Sequence, residues 1–276
     1  MRVPARYRSA AAAVELFAAA NFAFLALDIF LAHSVNEFAR WEEWIPFGFS
    51  IAAAPLLLAS FLAGGFRPRG ARAARAARAL GLAVGAAAVA VGVSGLLLHL
   101  DSAFFERQTL ANLVYTAPFA APLAFAGLGL LVLLDRLVEA AEPEWARWVL
   151  LLALGGFVGN LGLSLADHAQ NGFFRKTEWI AVAGAAFAVG FLVSALFARS
   201  DRRLLRACLG VMAIEAAVGV AGFLLHLRGN LEGPGRTLWD RFLYGAPIFA
   251  PLLFANLAIL ASIGLRGLIA APAPES

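Results

Sequence analysis

The chain has 276 residues, of which 62% are hydrophobic and only 14% charged, and this excludes an ordinary soluble domain, where charged residues make up about a quarter. A net charge of +4 and a pI near 10 would suit a nucleic-acid partner, but the arginines gather in short clusters between apolar runs, so no nucleic-acid footprint is expected. One cysteine, Cys208, excludes an intramolecular disulfide and any paired-cysteine redox chemistry.

The apolar runs predict about eight transmembrane helices, over 11–33, 44–64, 79–100, 113–134, 146–168, 178–198, 204–227 and 242–265. Each is long enough to cross a hydrocarbon core of about 30 Å as a helix. The first run passes for a signal peptide up to Ala18–Ala20, yet it continues further and its end matches a later helix, so it is predicted to be retained.

Arg2, Arg6 and Arg8, then Arg67, Arg69, Arg72, Arg75 and Arg78, then Arg199, Arg202, Arg203 and Arg206 all fall on one side of an eight-span chain. The other side carries Glu37, Glu42, Glu43, Asp101, Glu106, Asp167, Glu178, Glu232 and Asp240. The positive-inside rule then places both termini in the cytoplasm, with the arginines meeting anionic lipid of the bilayer. Trp41, Trp44, Trp179 and Trp239 are expected in the outer aromatic belt, and Trp145 and Trp148 in the inner one. Lys176 is the only lysine, and with the high alanine content this points to a GC-rich bacterial genome and hence a bacterial inner membrane.

The chain repeats itself. His33–Ile45 aligns without gaps on His168–Ile180 with seven of thirteen residues identical, and Val91–Leu100 aligns on Val218–Leu227 with eight of ten identical. Tyr115–Pro122 aligns on Tyr244–Pro251. Three blocks in one order divide the chain into a first repeat, 1–140, and a second, 141–276. Four spans per repeat is an even number, so the expected fold is an all-α integral membrane protein of two parallel four-helix bundles related by a pseudo-twofold axis along the membrane normal.

All four histidines, His33, His99, His168 and His226, occupy repeat-equivalent positions at the ends of outward-running helices. Histidine suits a helix C-terminus in its own right, where it meets the negative end of the dipole. Metal ligation is the sharper expectation, because neutral imidazole ligates haem iron, zinc and copper. In an up-and-down bundle His33 would face His99, and His168 would face His226, each pair gripping one haem b. Glu43 and Glu178 begin helices at the same face, where four histidines and two carboxylates would otherwise hold a non-haem metal; the helix dipole alone also favours acids there. The glycines before His99, His168 and His226 would let either a flat macrocycle or a neighbouring helix approach.

Asn36 and Asn171, three residues beyond a histidine, are expected to take the left-handed conformation that ends the helix, or to hydrogen-bond an imidazole. Pro118, Pro122, Pro247 and Pro251 should interrupt two helices, leaving room for a cofactor or quinone or simply shaping the bundle. Tyr115 and Tyr244 beside them would anchor at the interface or bond a ligand. Glu215 lies mid-helix, where an acid is costly and often relays protons; its counterpart is Ala88. Asp28 and Glu15 are expected to be interfacial or paired.

No nucleotide-binding or hydrolase motif is present. The sequence thus points to a redox membrane protein exchanging electrons with quinone or a periplasmic partner. The alternatives are a transporter or channel with a histidine-lined vestibule, or a non-catalytic subunit of a membrane complex.

Overall fold

The computed structural model describes residues 5–65, 70–101, 109, 120–198 and 201–271. Among these there is no strand; the chain runs through α1 (Ala5–Ser34), α2 (Trp44–Ser60), α3 (Ala71–Leu100), α4 (Leu123–Leu137), α5 (Pro143–Gln170), α6 (Glu178–Phe197), α7 (Arg202–Glu232), α8 (Leu238–Leu243) and α9 (Leu252–Ala270). A 3-10 turn, Trp41–Glu43, leads into α2, and a π turn, Phe61–Gly65, follows it.

Seven of these segments are long and apolar enough to cross a membrane. The protein is therefore a multi-pass helical membrane protein, with large apolar side chains such as Leu62, Leu97, Ile214 and Phe187 more than 60% exposed, as a lipid-facing surface requires. The start of the expected fourth span, 113–119 with Tyr115 and Pro118, lies outside the described residues; the rest of it runs into the 15-residue α4.

Helix ends follow local chemistry. Pro143 starts α5, where its missing N–H costs nothing. The Asp201 carboxylate accepts from the backbone N–H groups of Arg203 and Leu204 to cap α7, and Thr237 and Asp240 form a reciprocal capping box on α8. The last apolar segment differs from expectation: in place of one interrupted helix over 242–265, the short α8 ends at Leu243 and α9 begins only after Pro251. Pro122 stands in the same place before α4. Prolines at Pro247 and Pro251 withhold two N–H donors within five residues, so the helix breaks rather than bends.

Buried apolar residues form two clusters. One joins Ala18, Phe22, Ile29, Ala53, Leu57, Val84, Ala88, Phe125 and Val132. The other is drawn almost wholly from 145–268, with Val14 and Leu131 attached. Positions that correspond by repeat share their environments: Val14 and Val149, Ala18 and Ala153, Phe22 and Phe157, Ala53 and Ala188, and Leu57 and Leu192 are all fully buried. α1 packs on α2, and α5 on α6; α3 packs closely on α4, and α7 on α9. The repeats meet where α1 touches α9 and α4 touches α5, with Asn21 and Asn256 exchanging side-chain hydrogen bonds across the first of these contacts.

Small residues set the closest approaches. A Cβ on Gly92 would fall 2.5 Å from the Ala126 nitrogen and 2.9 Å from the Pro122 carbonyl oxygen; on Gly219 it would fall 2.7 Å from the Ala255 nitrogen and 2.8 Å from the Pro251 oxygen. Gly95 and Gly222 face the Pro122 and Pro251 rings in the same way. These glycines therefore serve helix packing. The space beside them is taken by α4 and α9, so they do not form a slot for a macrocycle.

Candidate histidine–carboxylate site

α1 and α5 end in the same device. The chain leaves each helix through residues with positive φ: Glu37 at 60° and Phe38 at 52° in the first repeat, Gly172 at 69° and Phe173 at 50° in the second. A bulky residue in this region is strained by about 1–2 kcal/mol, and here two interactions offset the cost. The Phe38 N–H donates to the His33 carbonyl at 3.0 Å and the Phe173 N–H to the His168 carbonyl at 3.1 Å. The phenyl ring then stacks on the tryptophan that opens the next segment, Phe38 on Trp44 at 4.3 Å and Phe173 on Trp179 at 3.9 Å between ring centres. The asparagines are not the left-handed residues expected; Asn171 has φ −86°, and the exit falls one and two residues later.

The reversal brings a carboxylate against each histidine. His33 Nδ1 lies 3.6 Å from Glu43 Oε2, and His168 Nδ1 lies 3.7 Å from Glu178 Oε2. In both pairs the side chains are mostly buried, at 21% and 12% exposed in the first and 17% and 10% in the second. These distances suit an ion pair but exceed a hydrogen bond, and the two buried Oε2 atoms have no hydrogen-bond partner. The Asn36 amide donates to Glu43 Oε1 at 2.8 Å, so Asn36 bonds the carboxylate and not an imidazole.

The other two histidines stand at the same end. The His99 ring is 6.5 Å from the His33 ring, centre to centre, at 71°. His226 Nδ1 lies 2.9 Å from the Pro247 carbonyl oxygen, in the break between α8 and α9. Tyr244, in that break, is 68% exposed, which fits an interfacial anchor. Trp41, Trp44, Trp179 and Trp239 are likewise exposed at this end, whereas Trp145 leaves the expected belt: it is fully buried and donates from Nε1 to Asp135 at 3.2 Å.

Among the described residues no three or more histidine, cysteine, aspartate or glutamate side chains converge as a metal-binding group. The structure brings together His33, Glu43, Asn36 and His99, and separately His168 and Glu178. It shows a consistent imidazole arrangement that spacing alone had not revealed: His33, His168 and His226 each turn Nδ1 toward a carboxylate or a backbone carbonyl. Of the three, His226 is at hydrogen-bond distance, 2.9 Å from the Pro247 oxygen; a proton on Nδ1 would leave Nε2 to accept, the arrangement usual for a metal-ligating histidine.

Two further polar features lie deeper. At the opposite, arginine-rich end Arg136 pairs with Glu15 and bonds Ser60, with Asp135 at 3.9 Å. In α7, Glu215 is 1% exposed. No known protein-family model matches the chain, and no curated protein or solved structure is significantly similar to it.

Proposed function

We propose that the chain is a bacterial inner-membrane redox protein. Its eight membrane-crossing helices form two parallel four-helix bundles about a pseudo-twofold axis, with both termini in the cytoplasm. His33, His99, His168 and His226 ligate haem b iron or another metal through Nε2 near the periplasmic face, and the protein exchanges electrons with quinone or a periplasmic partner.

The observation that carries this reading is the repeated turning of Nδ1 toward a carboxylate or carbonyl, with the His33 and His99 rings close to each other. At 6.5 Å between ring centres, His33 and His99 would be close enough to hold one metal, given metal–nitrogen bonds of about 2 Å. As haem ligands they would hold the iron, which would supply the electron-transfer chemistry. On this reading Glu43 and Glu178 orient imidazoles and do not themselves bind the metal. The arginine clusters support the orientation, and the matched glycine contacts of α3 on α4 and of α7 on α9 support the pseudo-twofold arrangement.

The test is cofactor retention in His99→Ala and His226→Ala. Each variant is expected to lose one of two bound cofactors. Full retention in both would overturn the proposal. Transport, the alternative, draws on one observation, the buried carboxyl of Glu215.

A further inference from the structure

The second bundle contains polar groups where the first is apolar. Glu215 on α7 is 1% exposed and Asn160 on α5 is 5% exposed; their counterparts by repeat are Ala88 and Leu25. Each carries a buried atom without a hydrogen-bond partner, Oε2 of Glu215 and Nδ2 of Asn160. Both lie well inside the helices. Glu215 precedes His226 by eleven residues, about 16 Å along the helix, and Asn160 precedes His168 by eight, about 12 Å.

Room for the carboxyl is provided by a glycine. A Cβ on Gly184 of α6 would come within 2.9 and 3.0 Å of the two Glu215 oxygens. Among the described residues no cation is positioned to neutralise the group. On α6 the only ionisable residue is Glu178, at its first turn. On α9 it is Arg266, about two turns further in than the Ala255–Gly219 contact would place level with Glu215. On α7 itself Arg206 and His226 are nine and eleven residues away, and the stretch 148–166 of α5 holds no charged residue. A bare carboxylate there would be very costly. The carboxyl therefore needs a proton of its own.

We infer that Glu215 is an exchangeable proton-binding site inside the second bundle, which also buries the polar Asn160. The site is independent of the histidines, so its failure leaves the redox reading untouched. It gives the second bundle a titratable group at a level where the first has Ala88.

Dicyclohexylcarbodiimide, which partitions into membranes and reacts with protonated carboxyls, tests this on the intact protein in liposomes, read by peptide mass spectrometry. Glu215 should be modified at pH 6 and its modification should fall at least tenfold by pH 9. Added NaCl at constant pH should have no effect. Glu215→Gln, a neutral isostere, should lose the modified peptide altogether. Modification indifferent to pH, or none at any pH in folded protein, would show a sealed, permanently neutral carboxyl and overturn the inference, and suppression by NaCl at constant pH would overturn the assignment to a proton.

Discussion

The two ends of the repeated unit have different histories. At the histidine end the repeats agree in detail: the same histidine, strained phenylalanine, stacked tryptophan and carboxylate, with Nδ1–Oε2 distances of 3.6 and 3.7 Å. At the arginine-rich end they have parted. The first repeat buries Glu15, Asp135, Arg136 and Ser60, where the second has Leu150, Gly264, Leu265 and Ala195 in an apolar core. Packing tolerates such exchanges provided volume and neutrality are kept. A geometry retained down to a strained backbone conformation indicates a specific task, and this is why the candidate site is placed at the histidine end.

The divergent end offers the largest effect. Arg136→Ala leaves Glu15 and Asp135 buried without their cation and should cost about 3–5 kcal/mol in detergent unfolding. Converting the first repeat to the second's chemistry, Glu15→Leu with Arg136→Leu and Asp135→Gly, should recover most of that loss. Failure to recover would mean that the ionic network does more than hold the helices together.

Next come the matched glycines. Gly92→Ala and Gly219→Ala each drive a Cβ into backbone atoms of the neighbouring helix, which cannot yield as a side-chain tip does. Each should destabilise by about 1–3 kcal/mol, and by similar amounts. A large cost at only one of the two would break the equivalence of the repeats.

The smallest expected effect is the most informative about chemistry. Glu43→Gln and Glu178→Gln keep the shape but remove the charge facing Nδ1, and each should weaken metal retention about 10–100-fold with little change in melting temperature. The reverse pattern, lost stability with unchanged metal retention, would mark these carboxylates as structural helix-start acids.

Much of this was legible in the sequence for simple reasons. Long apolar runs announce spanning helices, and two gapless blocks containing His, Asn, Glu and Trp announce a repeat. The break at 244–251 was harder to foresee, because a proline inside a membrane helix can be tolerated, and only the pair Pro247 and Pro251 together breaks the helix rather than bending it. The Glu15–Arg136 pair spans 121 positions, and nothing local marks either residue as paired. The helix exit misled in another way: Asn171-Gly172 reads as a turn led by asparagine, yet the strained conformation falls on Phe173, where stacking on Trp179 offsets its cost. At the site, the alignment identified the four histidines and two glutamates. Which groups stand beside each imidazole required the three-dimensional arrangement.

The central claim is that the histidines bind a redox metal. The most direct measurement is the optical spectrum of the purified protein, oxidised and then dithionite-reduced, with metal analysis on the same sample, from cells supplied with haem and metals. The account predicts either sharp reduced bands of a b-type haem or a stoichiometric redox-active metal. A colourless, metal-free protein would contradict it and leave the histidine–glutamate pairs as interfacial helix ends.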